Sequence, residues 1–422
     1  MKLLPDAISR NMLFPALRLM RAQMKLISDP VHLREIAARI DALGSPGRDV
    51  HTEAVMAGSA HATWVQVKGV RHERVVLYLH GGAFIAETPM FHGALLARIC
   101  REARARGLMV NYRLAPEHRY PAALDDCMAA YRWLLGEGFD ASHIIVAGDS
   151  AGGNLTLALL LRAREEGLPL PAGAVALSPL TDLTFSGDSV QRNDGVDDMF
   201  SADLLDALVP VYLSQPGLRT HPHVSPVFGD YAGMPPLLLL VGSTELLLDD
   251  SVRVAQRCPS AQLLVWNGMP HVFPGFDFLP QAVEATQRIG RFMRECVATG
   301  RAPQAAAQKQ VDPALAPVAQ AKAAPRPRLR VSLYLVLAGV AALVSLIAFA
   351  VWPGPAAVWA NPVVWAASAA VVLFMGVEAG AVGWQRLAAC FAATLLLGPG
   401  CGLSLFLFWR ASGATGDRGH HR

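Results

Sequence analysis

Two patterns of apolar residues divide the first three hundred positions of the chain. Over residues 13–27, Leu13, Leu17, Met20, Met24 and Ile27 form one helical stripe, with Arg10, Arg18, Arg21 and Lys25 mainly off it. Over 31–43, Leu33, Ile36, Ile40 and Leu43 share a face before Gly44, Pro46 and Gly47 end the pattern. Both predict amphipathic helices. The first reads as a helix packed on its own domain; a helix lying on a membrane or lidding an active site is the competing reading. From about residue 63 the pattern changes to short apolar runs bounded by turn residues, at 75–79, 108–110, 144–147, 174–177, 237–241 and 263–266. Helical stretches lie between them, at 122–135 and 154–166 among others. Strands alternating with helices predict a mostly parallel sheet covered on both faces.

At 298–330 the pattern vanishes. The stretch is rich in Ala, Pro and Gln and nearly lacks large apolar side chains. It cannot bury enough surface to offset its ordering entropy, which predicts a flexible linker. Beyond it lie three apolar segments, at 331–352, 363–382 and 387–409. A hydrocarbon core of roughly 30 Å takes about 20 helical residues, which each segment supplies. The expectation is a C-terminal α-helical transmembrane region over 331–410, followed by a tail at 411–422. Glu378 falls near the end of the second segment, and Gly398-Pro399-Gly400 should kink or break the third. Arg326, Arg328 and Arg330 before the first segment, and Arg386 between the second and third, favour the cytoplasmic side for the linker and the domain before it. Three spans then put Arg410, Arg418 and Arg422 outside, against that bias unless the third segment is re-entrant.

Composition adds mainly exclusions. The 422 residues carry a formal charge of only +3, so nothing argues for a nucleic-acid partner. The six cysteines, at 100, 127, 258, 296, 390 and 401, form no C-x-x-C pair and no metal-like cluster; they read as buried thiols in a reducing compartment. The N-terminal MKLLPDAISR places a proline and an acid where a signal peptide needs an unbroken apolar core.

Chemistry is suggested first at IIVAGDSAGG, 144–153. An apolar strand runs into Gly148-Asp149-Ser150-Ala151-Gly152, and a helix follows. That is G-x-S-x-G in the strand–turn–helix setting that exposes a nucleophilic serine, with the helix N-terminus aiming positive potential at a developing oxyanion. A second strand ends in His80-Gly81-Gly82-Ala83, whose small residues let backbone N–H groups approach a substrate oxygen and, with the Ala151 amide, form an oxyanion hole. His80 itself reads as a brace for that loop. The candidate base is His271, in Met269-Pro270-His271-Val272-Phe273, the only histidine between the presumed acid and the linker. The acid should follow the 237–241 strand. Glu245 sits closest to its end and is favoured, while Asp249 and Asp250 also suit the N-terminus of the next helix.

With these residues in place, the chain resembles the hormone-sensitive-lipase-like family of α/β-hydrolases, the bacterial H-type esterases. The matching motifs are HGGAF at 80–84, NYRLAPEHRYPAALDD at 111–126, GDSAGG at 148–153, LSPLTDL at 177–183, GSTELLLDD at 242–250 and MPHVF at 269–273. The resemblance covers roughly 1–297. It implies an α/β-hydrolase fold over 51–297, with a helical cap formed by residues 1–50 and a segment near 185–220. It implies a catalytic Ser150, Glu245 and His271, and oxyanion donors at Gly82, Ala83 and Ala151 with Gly81 shaping the turn. It also implies a carboxylic ester substrate with a short to medium acyl chain, and neither metal nor organic cofactor. Two positions depart from the family pattern. Glu245 stands where Asp is commoner, which leaves Asp249 open as the acid, and Asn111 stands where the family often has Asp. An amidase, lactonase or deacetylase would use the same triad, and a non-catalytic membrane scaffold is the alternative of a different class. The oligomeric state is left open.

Overall fold

The computed structural model describes residues 6–25, 29–42, 44–70 and 74–299. The stripe-bearing N-terminal segments form α1 (Asp6–Met24) and α2 (Pro30–Asp41). An antiparallel hairpin follows, β1 (Val50–Ala57) and β2 (Ala60–Val67), and then the alternating part of the chain. This runs β3 (Val75–Leu79), α3 (Pro89–Ala103), β4 (Arg106–Val110), α4 (Ala122–Gly136), β5 (Ile144–Asp149), α5 (Ala151–Glu165) and β6 (Gly173–Leu177). Two short helices, α6 (Asp188–Arg192) and α7 (Ala202–Tyr212), are inserted before β7 (Leu237–Gly242). α8 (Leu248–Arg257), β8 (Ala261–Trp266) and α9 (Pro280–Thr299) complete the described chain. From Leu17 onward α1 belongs to the same compact unit as the sheet.

The sheet has eight strands in the order β1-β2-β4-β3-β5-β6-β7-β8. β2 meets β4 antiparallel, and every pair from β4 to β8 is parallel. Right-handed crossovers in this order place α3 on one face and α4, α5 and α8 on the other. α9 packs on α3, so the sheet is covered on both sides. That explains why β3, β5, β6 and β7 are buried at every position and read as unbroken apolar runs. α5 is buried from Ala151 through Leu161 and forms the centre of the helical layer beneath β5 and β6. The strand order reverses around β3, and in open parallel sheets the binding crevice forms at the carboxyl ends beside such a reversal.

The β1–β2 hairpin departs from the expected start of strand structure at about residue 63. β1 is exposed at most positions, and Met56 on it is 48% exposed. An outer strand with solvent on both faces carries no period-two apolar alternation to read. α9 also runs through Thr299, two residues past the expected end of the hydrolase domain at 297. The rest of the linker, the three apolar segments and the tail lie outside the described residues, as do Cys390 and Cys401. Among the described residues, no helix is long and apolar enough to cross a membrane, and Cys100, Cys127, Cys258 and Cys296 are buried free thiols.

Candidate active site

Four strand ends bring the sequence candidates to one edge of the sheet. His80 and Gly81 follow β3, Ser150 follows β5, Glu245 follows β7 and His271 follows β8. Ser150 is the hinge between β5 and α5, with φ 54° and ψ −119°, a backbone state that costs a non-glycine residue on the order of 1–3 kcal/mol. It is held there by its N–H donating to Leu177 O at 2.8 Å and its carbonyl accepting from Asn154 N at 3.0 Å. The flanking glycines are required by close approach. A Cβ on Gly148 would lie 2.3 Å from Gly152 O, and one on Gly152 would lie 1.9 Å from Leu79 O.

The acid and the base are joined. His271 Nδ1 and Glu245 Oε2 are 2.8 Å apart, and the two side chains are 2% and 0% exposed. Glu245 Oε1 accepts from Ser178 Oγ at 2.8 Å and from the Gly242 amide. Ser178 Oγ in turn accepts from the Val272 amide at 3.1 Å, so one hydroxyl positions both the acid and the loop of the base. Burial disfavours a charged His271, but the hydrogen bond and negative charge of Glu245 outweigh it and hold the imidazole above its ordinary value. The other ring nitrogen, Nε2, is buried and hydrogen-bonded to nothing among the described residues, Ser150 included. Thus Glu245 and His271 are paired, and Ser150 stands at the same edge without a hydrogen bond to them. Asp249, the alternative acid, is turned elsewhere. Its carboxylate accepts from the Ser189 amide at 2.8 Å and pairs with Arg192. Asp250 accepts from the Thr181 and Asp182 amides. Both sit in the first turn of α8, as expected, but they also tether the chain leaving β6.

The glycine loop after β3 separates the turn-shaping residue from the candidate donors. The Gly81 N–H donates to Asp149 Oδ1 at 3.0 Å, so Gly81 is no oxyanion donor. Its missing side chain is still needed, since a Cβ would fall 2.2 Å from Asp149 Oδ2. The N–H groups of Gly82, Ala83 and Ala151 donate to no protein acceptor among the described residues. Gly82 (φ 117°) and Ala83 (φ 55°) are both left-handed, which turns this stretch back on itself. His80 braces the loop as expected, with Nδ1 2.7 Å from Gly81 O and its ring stacked on Tyr112 at 4.1 Å. Burial, helped by nearby His92, pushes its pKa down to about 4.

Several supporting residues carried no role at the level of sequence. Asp149, inside the serine motif, accepts from Tyr78 Oη at 2.7 Å and lies 3.3 Å from His92 Nε2. Asn193 donates to Glu245 O at 2.7 Å, and Phe200 stands edge-on to His271 with ring centroids 4.9 Å apart. Only the pattern around Asp149 and Ser178 could have flagged them, since both fall inside matched motifs. Among the described residues, no group of three or more His, Cys, Asp or Glu side chains is gathered as a metal centre needs.

A strained serine between strand and helix, a buried carboxylate–histidine pair and a loop of free amides at one sheet edge define the class: an α/β-hydrolase site for acyl transfer. Comparison with known proteins agrees. Residues 76–275 match the model of a family described as having an alpha/beta hydrolase fold. An esterase of Acinetobacter venetianus is 36% identical over 245 residues, 54% of this chain and 80% of that protein. An acetyl-hydrolase of Streptomyces hygroscopicus is 37% identical over 61% of this chain and 86% of its own. The crystal structure of an esterase from the bacterial hormone-sensitive lipase family superposes with a TM-score of 0.65 at 35% identity, over 70% of this chain and 100% of that one. This chain belongs to the hormone-sensitive-lipase-like family of α/β-hydrolase esterases, and it is a carboxylic ester hydrolase.

Proposed function

We propose that the protein is a serine carboxylesterase acting on esters of short to medium acyl chains, with Ser150 as nucleophile, His271 as base and Glu245 as the acid that orients it. The observation that carries this is the buried Glu245–His271 hydrogen bond beside the strained turn at Ser150. Glu245 fixes the tautomer with the proton on Nδ1, so Nε2 is the free lone pair. Nε2 takes the proton from Ser150 Oγ as the oxygen adds to the ester carbonyl; in substrate-free enzymes this contact is commonly longer than in the complex. The tetrahedral oxyanion is held by the amides of Gly82, Ala83 and Ala151 and by the positive end of α5. Collapse expels the alcohol, which leaves with the proton from His271, and an acyl-enzyme remains. Water, deprotonated by His271, then releases the carboxylic acid and restores Ser150.

Since Glu245 holds His271 above its ordinary range, the free base appears only as pH rises past that elevated value. Activity should therefore climb with pH through a limb lying above about 6.5. Ser150→Ala is the direct test: hydrolysis of 4-nitrophenyl acetate, butyrate and octanoate should fall on the order of 10⁶-fold in kcat. A variant that keeps turning these esters over would sink the assignment.

The same reading tethers the hydrolase to a membrane through the apolar segments at 331–352, 363–382 and 387–409, with residues 6–299 on the cytoplasmic side. Its support is the length of those segments and the arginines at 326, 328 and 330 that precede them. In cells making the full chain, the protein should stay with the membrane fraction through an alkaline carbonate wash. Release by that wash would remove the tether from the reading.

A further inference from the structure

We propose that Asp197, working with Asn193 and Phe200, is a positioning residue for the His271 base, so that the segment between β6 and β7 sets the geometry of the Glu245–His271 pair as well as covering the site. This rests on the acid–base reading above and goes beyond it by naming what holds the pair from outside the sheet.

Asp197 is 2% exposed, and both carboxylate oxygens are spent on backbone amides. Oδ1 accepts from Met199 N at 2.8 Å and Phe200 N at 3.0 Å, which folds its own loop. Oδ2 accepts from Leu246 N at 2.8 Å, the residue directly after Glu245. Asn193, four residues before Asp197, donates from Nδ2 to Glu245 O at 2.7 Å and to Ser243 O at 3.2 Å. The backbone on both sides of the acid is therefore gripped by the inserted segment. Phe200, positioned by Asp197, presents its ring to the face and edge of His271 at 4.9 Å, in a T-shaped arrangement that limits rotation of the imidazole. α1 closes the chain of contacts: Arg21 donates to the carbonyls of Asp197 and Phe200, and Arg18 pairs with Asp198.

A buried carboxylate with no cation in contact among the described residues is costly, and its amide partners offset that cost only in part. Retaining Asp here needs a reason that a neutral staple would not supply. The charged groups acting on His271 give one. They are Glu245 from the β7–α8 turn, Asp197 from the inserted segment and Asp149 from β5, all negative. Asp197 adds field that favours the imidazolium formed when Ser150 is deprotonated, and it does so without touching substrate or the reacting atoms.

The test measures kcat, KM and pH profiles on 4-nitrophenyl butyrate for the full chain and for Asp197→Asn, Phe200→Leu and Glu245→Gln, with Ser150→Ala alongside. Asp197→Asn should lower kcat on the order of tenfold or more with KM within about threefold, as expected when only the reacting geometry is disturbed. Its acid limb should move down by about half a pH unit, because a negative charge near the base is gone. In the Glu245→Gln background the same substitution should cost little more, since residues serving one group do not act additively. Phe200→Leu, which leaves all the amide bonds of Asp197 in place, should lower kcat by about threefold or more, and it carries the test if Asp197→Asn fails to fold. An unmoved acid limb with kcat within twofold, a change confined to KM, or a loss that multiplies with Glu245→Gln would each overturn the proposal. Activity in Ser150→Ala would instead overturn the underlying nucleophile assignment, so the two failures read differently.

Discussion

The loops at the sheet edge and the segment that covers them are held in place by different physics. At the edge, each functional residue is fixed several times over. Ser150 is locked between two glycines whose Cβ positions are filled by backbone, and Glu245 Oε1 has two donors. Between α1 and the cover, by contrast, the hold is a few polar latches at least partly exposed on one side: Arg18 is 60% exposed, and Val196 beside its partner loop is 49% exposed. Dense packing transmits strain and tolerates no added atom, whereas single polar contacts at a surface are worth little each and can open. The edge should therefore fail all at once when altered, and the cover should fail by degrees.

The sharpest form of that contrast is the acid. Glu245→Gln keeps the shape of the site but removes the charge that orients and stabilises His271. It should lower kcat on the order of 10⁴-fold, about 5 kcal/mol of transition-state stabilisation. Asp249→Asn, which disturbs only the tether to Ser189 and Arg192, should stay within about tenfold of the wild type. Steady-state kinetics on both variants decides which carboxylate serves the histidine, and the reverse ranking would overturn the present assignment.

Two glycines give the same contrast in stability. Gly152→Ala would drive a methyl into Leu79 O, which is sheet backbone and cannot yield, so about 3 kcal/mol or more of folding stability should be lost. Gly195, in the covering segment, has φ 81° but open space around it. Gly195→Ala should cost only the left-handed backbone penalty of about 1–2 kcal/mol. Urea unfolding of the two variants checks the order.

These differences also explain what could be read before any coordinates. Six of the eight strands were legible: burial on both faces leaves apolar runs in β3 to β7, the half-buried β8 carries the short run 263–266, and Ser150, His271 and Glu245 each follow one of these runs. β1 was not, since an exposed edge strand has no pattern to obey. That Asp149 takes the N–H of Gly81 was not legible, because sequence shows only that a small residue stands there. Asp197 and Asn193 lie fifty residues from the acid they hold. Nothing local distinguishes them from other polar residues of an irregular stretch, because their role arises only when the insertion folds back on β7.

A pH titration separates the edge from the rest of the buried charge. His92 and Asp149 form a buried pair. Burial opposes charge on both, but their attraction outweighs it, raising His92 and lowering Asp149. A raised histidine stabilises fully below the unfolded value of about 6.5, and that stability is lost as pH rises through the folded value. The lowered Asp149 stabilises above about 3.9 and loses that only as pH falls through its folded value. Between pH 7 and 9 His80, at about 4, stays neutral, whereas Asp250, which burial raises to about 7, gives up the proton it still holds in part at pH 7. The decline over that interval should then come from His92, from His271, which is raised in the same sense, and near pH 7 from Asp250, whose share is common to the wild type and a His92 variant. His92→Gln should be less stable at pH 7 yet flatter from pH 7 to 9, by about 1 kcal/mol in urea unfolding. An equally steep decline in the variant would show that the pair carries no charge.

The smallest effect expected is at the latch between α1 and the cover. Arg21 is partly buried and donates to two carbonyls, those of Asp197 and Phe200, so Arg21→Met keeps the apolar stem and removes the donors. Both bonds are partly buried, so water replaces the lost donor only in part and stability should fall by about 1 kcal/mol. Kinetics should show more than stability, because the loop released is the one that seats Phe200 against His271. We expect kcat to fall about two- to fivefold, with KM rising by a similar factor as the cover opens more often. Arg18→Met, which breaks the ion pair to the buried Asp198 carboxylate and touches neither carbonyl, should change both constants by less than about twofold. If the two arginine variants behave alike, α1 holds the cover by generic attraction to its surface, and the contrast between an over-determined edge and a specifically latched cover would have to be given up.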